Sequence, residues 1–151
     1  MNSRPMHRLR RLAAALIVMA AGWVTVNAQP VLNEVMSDNS RTLADEDGQY
    51  HDWIELRNPG TTPADLTGWY LTDVRDRKTE WKFPATSIPA GGYLVVFASD
   101  KDRRVPAAPL HTNFKLSADG DYLALVKPDG TTVAQEWTLP DRKSTRLNSS
   151  H

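Results

Sequence analysis

One short acidic run contains the residues best suited to hold a metal ion. Asp45, Glu46 and Asp47 are consecutive, Gly48 follows them, and Asp52 lies a few positions later. Calcium binds several oxygen ligands at once, and closely spaced carboxylates around a glycine turn can supply several of them. The spacing differs from that of an EF-hand loop, because no glutamate stands at the later position that such a loop requires. We therefore interpret this run as a solvent-exposed loop and keep calcium binding as the open alternative.

A second acidic pair, Asp119 and Asp121, surrounds Gly120. The same oxygen chemistry applies to it, but an Asp-Gly dipeptide is also a common turn, because glycine adopts positive φ without strain. We interpret this segment as a turn. The sequence therefore predicts no metal-binding residues and no cofactor.

Zinc binding or base catalysis would require histidines. Residues 29–140 contain His51 and His111, which are far apart in the sequence, and the chain has no cysteine and no His-x-x-His spacing to join them. Structural zinc sites need about four closely placed ligands, usually with cysteine among them. We therefore expect both imidazoles to face solvent or to form hydrogen bonds within turns.

Nucleophilic catalysis would require an activated serine or cysteine. None of the serines lies in a Gly-x-Ser-x-Gly turn, the strained strand-to-helix connection that exposes a nucleophile. The serines of the central segment are Ser37, Ser40, Ser87, Ser99 and Ser117. We predict no catalytic residues and no enzymatic activity for this chain.

Two basic loops are further candidates for ligand binding. Residues 75–78 and 101–104 each mix Arg and Lys with an aspartate. Nucleic-acid binding requires a basic stripe that can neutralise several phosphates. Residues 29–140 contain 11 Lys and Arg against 17 Asp and Glu, a net charge of −6, so this segment as a whole repels a polyanion. We predict no nucleic-acid partner.

The first 28 residues have the layout of a secretory signal peptide. They contain four arginines and no acidic residue, an apolar run from Leu12 to Val26, and a small side chain at Ala28. A basic start, an apolar middle and a small-residue end are typical of such signals. A membrane-spanning helix needs about 20 apolar residues, and the run ends before that length at Asn27. We expect residues 1–28 to be cleaved, with an uncleaved N-terminal anchor as the alternative, and the product to be secreted or held at the cell surface without a further membrane span.

The remaining chain divides into a domain, residues 29–140, and a tail, residues 141–151. The domain contains four of the five tryptophans and no cysteine, so apolar packing rather than disulfides must stabilise it. The tail has a single apolar residue and no periodicity, and it resembles the translation of a sequencing adapter. We expect the natural protein to continue beyond Pro140 into further domains.

Short apolar runs alternate with turn residues from Pro30 onward, which predicts an all-β fold. In residues 53–57, Ile54 and Leu56 alternate with charged residues, the pattern of a strand with one buried face. Residues 93–98 are apolar on both faces, which predicts a central strand. The predicted strands are Val31–Met36, Asp52–Arg57, Trp69–Thr72, Glu80–Phe83, Tyr93–Ala98, Asn113–Leu116, Tyr122–Lys127 and Thr132–Trp137. Their number and spacing favour an antiparallel β-sandwich or barrel.

Several of these runs resemble the lamin tail domain, an immunoglobulin-like module of nuclear lamins and of exported bacterial multidomain proteins. The resemblance covers residues 31–137 and depends on six motifs in order. They are Leu32–Met36 (LNEVM), Asp52–Asn58 (DWIELRN), Asp65–Asp73 (DLTGWYLTD), Trp81–Pro84 (WKFP), Ile88–Val96 (IPAGGYLVV) and His111–Ser117 (HTNFKLS). Each motif alone is a weak signal, but their shared order is specific.

The resemblance implies an all-β fold, an immunoglobulin-like antiparallel β-sandwich over residues 29–140, and no catalytic residues to assign. Bacterial members resemble adaptor modules attached to secreted or surface hydrolases, nucleases and spore-coat-type kinase domains. We therefore expect a noncatalytic interaction or adaptor module of a secreted or surface multidomain protein, with an unknown protein or an envelope polysaccharide as its partner. The alternatives are a targeting module of a larger enzyme and a structural component of the envelope. Fold-level analogy does not choose among these functions.

Overall fold

The computed structural model describes residues 28–117 and 122–140, and every regular element in these ranges is a β-strand. The long strands are rich in β-branched, leucine and aromatic residues, which pack well on a pleated surface. The strands are β1 (Val31–Met36), β2 (Asp52–Arg57), β3 (Ala64–Asp65), β4 (Tyr70–Thr72), β5 (Trp81–Lys82), β6 (Ser87–Ile88), β7 (Tyr93–Ala98), β8 (Leu110–His111), β9 (Tyr122–Val126) and β10 (Val133–Thr138). The predicted all-β fold is confirmed.

Two four-stranded sheets form a sandwich. Their strand orders are β1-β2-β7-β8 and β10-β9-β4-β5, and β3 pairs with β6 in a small third sheet. The pairs are antiparallel except for β7 and β8, which run parallel. The predicted immunoglobulin-like antiparallel β-sandwich is therefore confirmed.

The core lies between the inner faces of the two large sheets. Ile54 and Leu56 of β2 are fully buried there, as their alternation with charged residues predicts, and Leu125 of β9 belongs to the same apolar cluster. Trp81 is also fully buried, and its ring meets that of Phe83 edge to face with centroids 4.8 Å apart. Aromatic pairs favour this geometry because the positive ring edge faces the negative ring face. Aromatic packing thus supplies part of the stability that disulfides cannot.

The short strands differ most from the sequence prediction. The predicted strand Asn113–Leu116 is wrong: Lys115 makes only an isolated bridge to Ser99, and the chain pairs earlier, as β8. The predicted strands Trp69–Thr72 and Glu80–Phe83 are present as the shorter β4 and β5. The two-residue strands β3, β6 and β8 are not predicted at all, because two residues are too few to show an alternating pattern.

Three predictions lie outside the described residues. They concern the signal peptide at 1–28, of which the structure describes Ala28 alone, the turn at 119–121, and the tail at 141–151. All three remain predictions. In the part of the chain that the structure does describe, no helix has the length and apolar character needed to cross a membrane.

One side chain joins the edges of the two large sheets. Gln135 of β10 accepts a hydrogen bond from the Leu32 N–H at 2.8 Å and donates to the Leu32 carbonyl at 3.5 Å. The side chain thereby satisfies backbone groups of the edge strand β1. A bulge in the β1–β2 register lies between Leu32 and Glu34, and the adjacent Asn33 and Glu34 are both exposed. The extra residue explains why two successive polar side chains can both face solvent.

Asn58 organises the turn after β2 from the inside. Its side chain is fully buried, and its Oδ1 accepts the Gly60 N–H at 2.9 Å. Its amide nitrogen lies 2.7 Å from the Thr62 carbonyl, 3.0 Å from the Ile88 carbonyl and 3.1 Å from the Pro89 carbonyl. Asn58 therefore ties the β2–β3 turn to the β6–β7 turn.

We expect Asn58→Ala to lower the free energy of unfolding by about 2–4 kcal/mol, because it leaves buried backbone groups without partners. Asn33→Ala is the matched control, since Asn33 is exposed and bonds to Glu55 at 2.7 Å on the surface. Asn33→Ala should lower the free energy of unfolding by no more than about 1 kcal/mol. Urea denaturation followed by tryptophan fluorescence measures both variants, and equal losses would contradict the role assigned to Asn58.

Candidate functional site

Two long loops meet at one end of the first sheet. The β1–β2 loop, residues 37–51, and the β7–β8 loop, residues 99–109, leave from the same end, because Asp52 pairs with Ala98 across β2 and β7. Charged and polar side chains from these loops and from the start of β8 converge between them. We term this group the interloop cluster; it consists of Asp45, Glu46, Asp47, Lys101, Arg103 and His111.

The interloop cluster lies against the outer face of the first sheet. Trp53 and Phe97 pair across β2 and β7 and alternate with the core residues Ile54 and Val96, yet both are buried. The Phe97 ring stacks on His111 with centroids 5.1 Å apart and an interplanar angle of 25°. Through His111 the cluster thus contacts Phe97, a side chain that strand alternation directs away from the core.

Asn39 shapes the β1–β2 loop. Its amide nitrogen donates to the carbonyls of Leu43 at 2.6 Å and His51 at 2.8 Å, and its Oδ1 accepts the Leu43 N–H at 3.3 Å. Gly48 has a φ of 73°, which suits glycine because a side chain there would be strained. These contacts hold the backbone that carries Asp45.

Asp45 occupies the centre of the cluster, and its side chain has no exposed surface. Its Oδ1 accepts the N–H groups of Asp47 at 3.0 Å and Gln49 at 2.9 Å. Its Oδ2 contacts Lys101 Nζ directly and lies 3.5 Å from His51 Nε2. Burial by itself would raise the pKa of this carboxyl group, but the hydrogen bonds from Lys101 and the loop backbone outweigh burial and lower the pKa. The buried group therefore stays charged.

The β7–β8 loop supplies the compensating positive charges. Lys101 Nζ lies 2.7 Å from Asp47 Oδ2, and Arg103 binds the same oxygen at 2.7 Å while also contacting Glu46. Hydrogen bonds from Arg103 and Lys101 lower the pKa of Asp47 to about 2. Two permanent cations face three carboxylates, which leaves a net charge of −1, and the ion pairs between them hold the two loops together.

His111 is fully buried and bonded at both ring nitrogens. Ser99 Oγ lies 2.8 Å from Nδ1, and Glu46 Oε2 lies 2.9 Å from Nε2. The order of groups resembles a nucleophile–base–acid triad. Ser99 is buried, however, and its hydroxyl also accepts the Lys101 N–H at 3.3 Å. A nucleophile must be open to its substrate, so this geometry supports a structural hydrogen-bond chain and not catalysis.

Asp45, Glu46 and His111 have the residue types of a metal site, and one ligand atom from each lies within 4.8 Å of the others. Lys101 and Arg103 already contact the two carboxylates, so a metal ion would have to displace these cations. Calcium also prefers oxygen ligands to an imidazole nitrogen. The geometry favours ion pairs over metal binding.

The sequence interpretation of these residues is wrong in two respects. The run 45–47 is not simply a solvent-exposed loop, because Asp45 is buried and ion-paired. His111 does not face solvent and is not bonded within one turn, because it lies in β8 and joins Ser99 of one loop to Glu46 of the other. His51 and His111, which the sequence places in unrelated loops, both contact the same acidic run. The signal that could have revealed this is the opposite charge of the runs 45–47 and 101–104.

The second basic loop lies outside the interloop cluster. Arg75 lies 3.5 Å from Glu136 and 4.3 Å from the centroid of the Tyr122 ring, and Arg77 pairs with Glu80 at 2.9 Å. These cations have acidic or aromatic neighbours in the domain itself. The absence of a nucleic-acid partner stays a prediction.

Stability should fall as the pH decreases through the acid range. The pKa of Asp47 is 3.8 when unperturbed and about 2 in the folded chain. The stabilisation that its ion pairs give the folded state is therefore complete above pH 3.8 and is lost as the pH falls through about 2. Burial and Lys101 lower the pKa of His51 below 6.5, so protonation of His51 also favours the unfolded chain.

Urea denaturation from neutral pH to about pH 2 measures this dependence. In Arg103→Gln the free energy of unfolding should depend less on pH below 3.8, the unperturbed pKa of Asp47. The reason is that Arg103 contributes most to the lowered pKa of this carboxyl group. A free energy of unfolding that does not change across this range would contradict the assigned ion pairs.

Calcium should leave the melting temperature of the wild-type chain unchanged, because Lys101 and Arg103 occupy the carboxylates that would bind it. Thermal unfolding with excess calcium and with a chelator measures the effect. A variant with both Lys101→Gln and Arg103→Gln is the control, since uncompensated carboxylates should make its melting temperature rise with calcium. A calcium-dependent rise in the wild type would instead support the calcium alternative.

Comparison with known proteins agrees with this architecture. A scan against protein-family models matches the Lamin Tail Domain over residues 24–138, which is more than half of the chain. A search of curated proteins finds no match. The matched range contains both large sheets and every residue of the interloop cluster, and it confirms the resemblance carried by the sequence motifs. The chain therefore belongs to the lamin tail domain family, a family of noncatalytic immunoglobulin-like domains.

Proposed function

We propose that this domain is an interaction module of a secreted or surface multidomain protein. Its partner is a protein or an envelope polysaccharide, bound at the end of the sandwich that the β1–β2 and β7–β8 loops form. The observation that carries the proposal is the combination of two features at this end. The interloop cluster joins the two loops, and apolar side chains of the same loops remain exposed.

The exposed side chains are of the kinds that binding surfaces use. Leu43 and Tyr50 of the β1–β2 loop are 38% and 49% exposed, and Val105 of the β7–β8 loop is 63% exposed. Tyr50 is held in place by an isolated bridge to Ala44. Tyrosine offers a large contact area and a hydroxyl group at a low cost in side-chain entropy, which explains its enrichment in binding sites.

The loops are well suited to bind without rearranging. Residues 105–109 are all exposed, and Pro106 and Pro109 restrict the backbone of this segment. Lys101 and Arg103, just before it, anchor the loop to Asp47. Because this order exists before a partner arrives, binding does not have to supply the free energy of ordering the loops.

The distribution of charge supports a partner that is not a polyanion. The cations Lys101 and Arg103 are engaged by carboxylates of the same chain, and the acidic residues outnumber the basic ones over residues 29–140. A neutral glycan or a protein surface fits this end of the domain better than a phosphate-rich ligand.

Binding of the immobilised full chain to a panel of envelope polysaccharides and purified envelope proteins tests the proposal. We expect one member to be retained, and Tyr50→Ala to weaken its binding by about tenfold through loss of aromatic contact. Tyr93→Ala is the matched control, because Tyr93 is similarly exposed at 53% but lies at the opposite end of β7. It should bind like the wild type.

Two results would count against the proposal. If no polysaccharide or protein is retained, the interaction role is wrong. If Tyr93→Ala weakens binding and Tyr50→Ala does not, the domain binds a partner but not through the two loops.

A further inference from the structure

We propose that Asp45 and Lys101 react with each other after folding and form an amide bond between their side chains, with release of one water molecule. The bond joins the β1–β2 loop to the β7–β8 loop across 56 positions in the sequence. It converts the central ion pair of the interloop cluster into a covalent cross-link.

The reacting groups already lie in contact. Lys101 Nζ touches Asp45 Oδ2, the Asp45 side chain has no exposed surface, and the Lys101 side chain is 17% exposed. An amine held against a carboxyl group reacts as an intramolecular partner, with an effective concentration far above that in free solution. The low exposure of the carboxyl group also limits hydrolysis of the product.

In its neutral form, the Asp45 carboxyl group has hydrogen-bond donors at the oxygen where charge develops during attack. When the amine adds to Cγ, negative charge develops on Oδ1, which already accepts the N–H groups of Asp47 at 3.0 Å and Gln49 at 2.9 Å. Two backbone donors at these distances have the arrangement of an oxyanion hole. The loop backbone therefore stabilises the intermediate without having to move.

The protons balance within the cluster. One proton passes from the Lys101 ammonium to Asp45 Oδ2, which gives a neutral amine and a neutral acid. The nitrogen attacks Cγ and loses a second proton to Asp47 Oδ2, which lies 2.7 Å from Nζ. Asp47 passes this proton to Asp45 Oδ2, which contacts the same Lys101 Nζ, and the Cγ–Oδ2 bond breaks as water leaves. The amide nitrogen keeps the last hydrogen, and no net charge changes.

The charged resting pair makes this reaction slow. Burial opposes both charges, but the hydrogen bonds of the cluster outweigh it, lowering the pKa of Asp45 and raising the pKa of Lys101. The neutral pair is therefore a minor species. The cross-link forms gradually in the folded chain and does not accompany folding itself.

The backbone on both sides of Lys101 is held in an uncommon conformation. Asp100 has a φ of 64° and Asp102 a φ of 51°, a region that residues with a side chain rarely adopt. The Lys101 N–H between them donates to Ser99 Oγ at 3.3 Å. Backbone strain of this kind persists where the surrounding structure enforces it. Lys101 lies between these two residues, and its side chain contacts Asp45.

Intact-mass spectrometry of the denatured full chain tests the proposal. After incubation of the folded protein at neutral pH, we expect a mass lower by one water than the sequence requires. Tryptic digestion should then yield a branched peptide that joins the segment containing Asp45 to Lys101.

Lys101→Arg is the matched control, because a guanidinium keeps the positive charge but is not a nucleophile at neutral pH. It should retain its full mass. Lys82→Arg changes an exposed lysine of β5 and should still lose one water. Aspartates before glycine, as at Asp47-Gly48 and Asp129-Gly130, can also lose water by forming cyclic imides. Mild alkali opens an imide and restores the mass, whereas the amide cross-link persists.

The proposal requires an alkali-stable loss of one water in the wild type and in Lys82→Arg, its absence in Lys101→Arg, and the branched peptide. A wild-type chain that keeps its full mass after prolonged incubation overturns it. A water loss that survives Lys101→Arg, or that mild alkali reverses, overturns it equally.

Discussion

A carboxylate without solvent contact stays charged inside a protein only when hydrogen-bond donors and cations surround it. Asp45 is such a group, and much of the surrounding structure serves this requirement. The β1–β2 loop folds back so that its own N–H groups face Oδ1, and the β7–β8 loop brings Lys101 to Oδ2. Removing either loop from this arrangement would leave a buried charge uncompensated. Two segments that are distant in the sequence therefore behave as one structural unit.

The first sheet, β1-β2-β7-β8, determines where the two joined loops lie. In an antiparallel sandwich the outer face of a sheet can carry polar side chains, because water forms hydrogen bonds with them. Trp53 and Phe97 make the outer face apolar at the end where the two loops emerge, and the ring of His111 stacks on Phe97. Both rings are buried, and His111, which stacks on Phe97, bonds to Glu46 of the acidic run. Apolar packing and ion pairing thus support each other.

Contacts within the chain also explain why the residue types of a catalytic triad and of a metal site do not form an open triad or metal centre in this cluster. Ser99, His111 and Glu46 have the composition of a triad, and Asp45, Glu46 and His111 that of a metal site. Each of these side chains bonds to another group of the chain, and Ser99 and His111 are buried. These side chains are thus engaged within the chain, whereas Leu43, Tyr50 and Val105 of the loops remain exposed. This agrees with membership of a noncatalytic family.

The sequence by itself determined the fold class, the bounds of β1, β2 and β7 and the approximate position of β9 and β10, because alternation and turn residues are local patterns. It did not determine β8, whose two residues pair only because β7 lies beside them, and it misassigned residues 113–116 as a strand. For the site, the sequence identified the acidic and basic runs but not their contact. Only the tertiary structure decided that Asp45 and Lys101 meet, because the register of β2 against β7 places the ends of both loops together. Such a register depends on pairing between distant segments, and no local pattern of residues encodes it.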